Sequence, residues 1–171
     1  LLESGYQKLT ADTDFPMSQH QNAWGINDDI TFDHLYQMLK DRRDSPWHTA
    51  FLTLSSHEPF EVPYHRLKEK QPNAFAFTDH CLGERIRKTP VWNNLLIVCL
   101  PDHGFYYPAE GNGHDARIHH IPMLWLGGAV KQPMVINQVM NQSDLAATLL
   151  AQLGIDHSEF NFSRNILSTT Y

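Results

Sequence analysis

Leu95-Leu96-Ile97-Val98-Cys99-Leu100-Pro101-Asp102-His103-Gly104 is the stretch whose reading decides the fold. Six consecutive apolar residues without polar alternation predict a strand buried on both faces, the usual condition of a strand inside a parallel sheet. Pro101 ends the ladder because it offers no N–H. Asp102 and His103 are thereby placed at the carboxyl end of a central strand, the edge where open α/β sheets collect ligands, and Gly104 lets the backbone turn away. A carboxylate beside an imidazole is a candidate metal pair.

A second strand is predicted over His48 to Ser55, from Phe51, Leu52, Thr53 and Leu54, and it runs out into Ser55-Ser56-His57-Glu58-Pro59-Phe60. Pro59 and Pro63 force an extended exit. His57 is therefore a site candidate, and the residues alone leave a hydrogen-bonded loop histidine equally open. No G-x-S-x-G elbow surrounds the serines, so they make no Ser-His-Asp case. Between these strands, Asn73 to Lys88 carries Ala74, Phe77, Cys81, Leu82 and Ile86 at helical spacing, with Arg85, Arg87 and Lys88 in the last turn where cations suit the helix dipole. Tyr64 to Pro72 is read as a charged surface connection.

Toward the N-terminus, Asn27-Asp28-Asp29 caps an amphipathic helix with Ile30, Phe32, Leu35, Tyr36 and Leu39 on its apolar side, ending near Lys40 to Arg43. His34 is read as a packed residue of that helix rather than a ligand. Leu1 to Gly5 reads as the last turn of a helix, Tyr6 to Ala11 as a short strand, and Asp12 to Gly25 as a polar loop that is either plain surface or, through Trp24, one wall of a cleft. After Gly104 an aperiodic loop, Phe105 to His120, offers His114, His119 and His120, of which His119 and His120 are candidates for lining the site. A strand over Ile121 to Leu126, closed by Gly127-Gly128, and a helix over Leu145 to Leu153, capped by Ser143-Asp144 and ended by Gly154, complete the pattern. Strand, helix, strand, helix, strand, strand, helix predicts an α/β/α layered domain.

At 171 residues and 42% hydrophobic, the chain can bury a real core. A formal charge of -6 argues against a nucleic-acid partner, and no run approaches the roughly 20 apolar residues of a membrane span. Cys81 and Cys99 lack metal-type spacing and are expected to be core thiols. The chain starts without Met at Leu1-Leu2-Glu3, and is read as a piece of a longer protein.

Six motifs in register carry a resemblance that covers nearly the whole chain: Trp24-Gly25-x-x-Asp28-x-x-x-Phe32, Phe51-x-Thr53-Leu54-Ser55-Ser56-His57-x-Pro59-Phe60, Thr78-Asp79-x-x-Leu82-Gly83, Asp102-His103-Gly104, Ile121-Pro122-Met123-Leu124, and Ser143-Asp144-Leu145-x-x-Thr148-Leu149-Leu150-x-x-Leu153-Gly154-Ile155. Together they resemble the C-terminal half of the sulfatase-type domain of the lipoteichoic acid synthase (phosphoglycerol transferase) family, in the alkaline phosphatase superfamily. The resemblance implies a three-layer α/β/α alkaline-phosphatase-like fold, with residues 1–171 as the C-terminal portion of one domain. It implies a parent enzyme that moves phosphoglycerol from phosphatidylglycerol-type phosphodiesters to a glycan or glycolipid acceptor through a covalent phospho-enzyme, with one Mn, Mg or Zn ion. Asp102 and His103 are then metal ligands and His57 contacts the substrate phosphate, with His120 carried over more loosely.

The family's nucleophilic Thr and its Glu ligand have no counterpart in this sequence. The chain alone is accordingly expected to be inert, and metal-free or holding only adventitious ion, and to self-associate through an uncovered strand edge. The parent is expected to be membrane-anchored, with this part on the extracytoplasmic face of a bacterial membrane. A sulfatase or phosphodiesterase domain is the alternative, and a binding domain that kept the sheet and lost the chemistry is the third.

Overall fold

The computed structural model describes residues 4–22, 24–42, 46–107 and 114–170. Two compact units divide it, Leu1–Lys131 and Gln132–Tyr171. In the first, helix α1 spans Asp28–Lys40 and opens with Asp28 and Asp29 in its first turn, where carboxylates suit the dipole. Phe32, Leu35 and Leu39 are buried along it at steps of three and four. The expected extension to Arg43 falls partly outside the described residues, as do Leu1 to Glu3 of the expected N-terminal helix end. Helix α2 spans Lys70–Arg85, beginning three residues before the predicted start. Pro72 does not prevent this, since the first turn of a helix has N–H groups without intrahelical partners. Buried Asn73 knits the preceding connection onto α2. Its Oδ1 accepts from Arg66 N–H at 2.9 Å and Leu67 N–H at 3.1 Å, and its Nδ2 donates to the Tyr64 carbonyl at 2.5 Å.

The two helices pack through Phe32, Leu35, Leu39, Phe77 and Cys81, joined by Ile86 and Leu95. Both cysteines are free thiols, as expected. Burial, assisted by the Asp28 carboxylate, pushes the Cys81 thiol up to about 12.

The sheet differs from the prediction. Strand β1, Ile97–Cys99, pairs antiparallel with β2, Leu124–Leu126, so that Ile97 faces Leu126, Val98 faces Trp125 and Cys99 faces Leu124. β1 is half-buried, and β2 is its sole ladder partner among the described residues. An unbroken apolar run reports burial but carries no information on the direction of its neighbour. Gly127, at φ 109°, turns the chain back onto the start of this run. A Cβ there would stand 2.1 Å from the Leu95 carbonyl oxygen. Gly128 N–H then donates to the Trp92 carbonyl at 2.9 Å.

The predicted strand over His48 to Ser55 joins no ladder, and Ser55 already lies in a turn. Its backbone donors are taken elsewhere. The Asp28 carboxylate, fully buried, accepts through Oδ1 from Leu54 N–H at 2.9 Å and Ser55 N–H at 3.2 Å, and through Oδ2 from the Thr78 hydroxyl at 2.5 Å. Asp28 N–H in turn donates to Ser55 Oγ at 2.8 Å. Phe51 leans on Phe32 with ring centres 4.7 Å apart, whereas Leu52 is 83% exposed. Tyr6 to Ala11 likewise forms no strand, and Ala11 N–H donates to Asp14 Oδ2 at 2.7 Å.

In the second unit, α3 spans Asp144–Gln152. Ser143 makes no side-chain cap. Asp144 is buried instead, its carboxylate accepting from Asn141 N–H and Arg164 N–H, each at 2.9 Å. Thr148 Oγ1 donates to the Asp144 carbonyl at 2.7 Å and accepts from Ile166 N–H at 3.1 Å. The sequence puts Leu145, Leu149 and Leu153 on one face of this helix, but the buried face carries Asp144, Ala147 and Thr148, and Leu153 is exposed. Gly154, at φ 68°, ends α3: its N–H donates to Ala151 and that of Ile155 to Leu150.

Two measurements check this packing. Asp28→Ala strands two backbone N–H groups and a hydroxyl, and is expected to cost about 3 kcal/mol or more in urea unfolding, against about 1 kcal/mol for Thr78→Val. A cost below that of Thr78→Val contradicts the assignment. For Cys81, the thiol is neutral in both states below its ordinary value of 9.0, and between 9.0 and about 12 only the unfolded chain ionises. Stability is expected to fall as pH rises through that window, and the fall attributable to this thiol should vanish in Cys81→Ala.

Candidate functional site

Beyond β1 the chain leaves the sheet and presents Asp102 and His103 with side chains 81% and 69% exposed. The Asp102 carboxylate accepts from the His103 backbone N–H at 3.0 Å. His103 Nδ1 lies 2.8 Å from the Gly104 carbonyl oxygen, which can only accept, so the ring proton sits on Nδ1. Its Nε2 keeps the lone pair, 3.8 Å from Asp102 Oδ1. A backbone carbonyl fixing one ring nitrogen so that the other can ligate is the common arrangement of metal-binding histidines.

Gly104 is required by close approach. A Cβ there would meet the Ile118 carbonyl oxygen at 1.6 Å and His119 Cα at 3.1 Å. The short helical turn Ala116–His119 is thus laid directly on the chain at Gly104, and His119 and His120 are exposed. Asp115 starts that turn by accepting from Arg117 N–H at 2.9 Å, and the Arg117 guanidinium holds its carboxyl below the usual range. His114 is exposed nearby in sequence, and residues 108–113 of the predicted loop lie outside the described residues.

His57 is positioned from the other direction. The Asp28 carboxylate anchors the chain at Leu54 and Ser55, and His57 N–H returns to the Leu54 carbonyl at 3.0 Å. His57 Nδ1 lies 2.9 Å from the Glu58 carbonyl, which again directs the lone pair to Nε2. Trp24 stacks on this imidazole in a tilted geometry, ring centres 4.4 Å apart. Asn22 holds Trp24 there, accepting through Oδ1 from Trp24 N–H at 2.8 Å and Gly25 N–H at 3.1 Å.

Phe60 joins the two regions. It sits at φ 59°, a conformation that costs a bulky residue on the order of 1 kcal/mol or more and persists where the surroundings over-determine it. Its ring meets Phe105 edge-on at 6.1 Å and Phe75 at 6.3 Å. Phe60 is three residues past His57 and Phe105 two past His103, so this contact joins the segment that follows one histidine motif to the segment that follows the other. His34 stays outside the site, packed edge-on against Phe15 at 5.2 Å. The sequence left the Asp12 to Gly25 loop open between plain surface and a cleft wall, and the three phenylalanines gave no separate signal because their spacing follows neither helix nor strand period.

Among the described residues, no group of three or more His, Cys, Asp or Glu is gathered closely enough to hold a metal ion. The Asp102 carboxylate and His103 Nε2 are the right kinds of donor for Mg, Mn or Zn, but a protein site commonly needs about three or four ligands. The pair is half a donor set.

A sulfatase family model matches residues 3–155. No curated protein and no solved structure matches the chain. The matched span takes in both histidine motifs and the whole α3 motif, and brings with it the α/β fold and ester-hydrolysing or group-transferring character of its superfamily. With that span covered, this chain belongs to the sulfatase family, in the alkaline phosphatase superfamily.

Proposed function

We propose that this chain forms the phosphate-contacting and part of the metal-binding edge of a phosphoglycerol transferase that acts on phosphatidylglycerol-type phosphodiesters. The single observation that supports this reading is the Phe60–Phe105 contact, which joins the segments just past His57 and just past His103. Within it, His57 presents Nε2 to an anionic ester oxygen, backed by Trp24. Asp102 and His103 supply two ligands to a divalent ion, which when bound screens charge on the phosphoryl oxygens and lowers the pKa of a nucleophile. We assign no nucleophile to this chain, and the remaining ligands are supplied from outside it, within a three-layer α/β/α domain. The acceptor is a glycan or glycolipid hydroxyl, and the setting is the outer face of a bacterial membrane. Sulfate-ester hydrolysis is the second reading, favoured by the family match itself.

The two readings separate in a binding experiment. With magnesium present, glycerol 3-phosphate is expected to shift the imidazole NMR signals of His57 and His103 at one shared half-saturation, and His57→Ala to weaken binding about tenfold. Glycerol 3-phosphate that leaves both signals unmoved while sulfate shifts them would overturn the transferase reading in favour of the sulfatase.

A further inference from the structure

We infer that a polar hollow in the second unit, lined by His157, Ser163, Arg164, Asn165, Ser168 and Thr170, binds the phosphate monoester of a sugar. The hollow measures about 310 Å³, at the small end of the roughly 300–1,000 Å³ of small-molecule sites. All six residues lie past residue 155, where the match to the sulfatase family ends. The hollow thus shares no residue with the matched span or with His57 and Asp102–His103, and the inference does not depend on how those are read.

The hydrogen bonds already made around the hollow leave it rich in donors. Ser163 Oγ accepts from Ala147 N–H at 2.8 Å, Asn165 Oδ1 from Leu167 N–H at 3.0 Å, and Ser168 Oγ from Thr170 N–H at 3.2 Å. In each case the fold uses an acceptor, so the Ser163 hydrogen and the Asn165 amide hydrogens remain to donate. The Ser168 and Thr170 hydroxyl oxygens lie 3.0 Å apart; one hydrogen fills that contact and the other is left for a ligand. His157 adds a ring N–H, and Arg164 adds a guanidinium, which carries a permanent charge and has donors only.

No carboxylate is among the six residues. The acids nearest in the chain and in hydrogen bonding are engaged with backbone and hydroxyl groups. Asp156 accepts from Ser158 N–H at 3.1 Å and the Ser158 hydroxyl at 2.8 Å, and Asp144 from the N–H groups of Asn141 and Arg164. In a chain of net charge -6, attraction for an anion must be local, and here a cation stands among unopposed donors. A planar guanidinium can pair two oxygens of one phosphate, the geometry in which such bonds are strongest. Phosphate alone would leave most of the hollow to water. Ser163 Oγ and Thr170 Oγ1 each keep a lone pair, so the remaining space is lined by groups that both donate and accept, as sugar hydroxyls require. The six side chains include no aliphatic or benzenoid group, which does not suit an acyl chain.

The test is titration of glucose 6-phosphate, inorganic phosphate and glucose into the full chain, read from the backbone amide NMR signals of Ser163 to Thr170. Glucose 6-phosphate is expected to shift these signals saturably, with about tenfold higher affinity than inorganic phosphate, and glucose to leave them unmoved. Asn165→Asp keeps the acceptor that holds Leu167 N–H but replaces a donor with a negative charge, and Arg164→Gln removes the cation while keeping the backbone bond to Asp144. Each is expected to weaken glucose 6-phosphate about tenfold or more, the scale of one charge-assisted hydrogen bond, with the His57 response to glycerol 3-phosphate unchanged. Equal affinity for inorganic phosphate and glucose 6-phosphate overturns the sugar assignment and leaves an adventitious ion only. Shifts with glucose as large as with its phosphate overturn the anion assignment. Undiminished binding in Arg164→Gln, or in an Asn165→Asp chain whose other amide signals stay in place, overturns the role given to those donors, and no shift with any of the three probes overturns the site.

Discussion

One buried carboxylate holds the first unit in register. Asp28 begins α1, yet its side chain is spent on Leu54, Ser55 and Thr78, which belong to the segment ahead of His57 and to α2. A desolvated carboxylate is costly unless its lone pairs are used, and here two backbone N–H groups and a hydroxyl use them. The return bond from Asp28 N–H to Ser55 Oγ makes the junction reciprocal. Three stretches far apart in sequence are fixed to one point, and the position of His57 follows from it.

The rest of the region is set by close backbone approach. Gly104 lets the Ala116–His119 turn lie against the end of β1, and Gly127 with Gly128 lets the chain after β2 lie against Trp92 and Leu95. A Cβ at these positions would meet backbone atoms at 1.6, 2.1 and 2.5 Å, so any side chain there would push the segments apart. The second unit repeats the logic of the first with another buried acid, Asp144, which binds loop N–H groups at Asn141 and Arg164 while Thr148 ties α3 to the segment at Ile166. Much of what looks like a chemical motif in this chain is thus architectural. Asp28, Thr78, Asp144 and Thr148 satisfy backbone or each other, whereas His57, Asp102 and His103 are exposed.

How far the sequence could be read follows from these same contacts. The three helices were legible because apolar residues recur at steps of three and four and because acids and glycine mark their ends. The apolar run at Leu95 to Leu100 was legible as sheet, but its half-buried state and its antiparallel partner were not, since both depend on how the intervening loop returns. The segment from His48 to Ser55 has strand composition and fails to pair because its last N–H groups go to Asp28, a competition that pattern cannot display. Asp102 and His103 do follow a strand, three residues past the end of β1, whereas His57 follows none. The contact of Phe60 with Phe105 was not legible, because it spans 44 intervening residues.

The account stands on His57 and the Asp102–His103 pair serving one site, and a zinc titration followed through the imidazole signals tests that most directly. The prediction is that zinc shifts His103 in the wild type and not in Asp102→Ala, with the weak, unsaturating affinity of two protein ligands, and that added glycerol 3-phosphate then moves His57 more strongly with zinc present than without it. A zinc response at His103 that is indifferent to Asp102→Ala, or a His57 response to phosphate that zinc does not alter, would contradict a shared site.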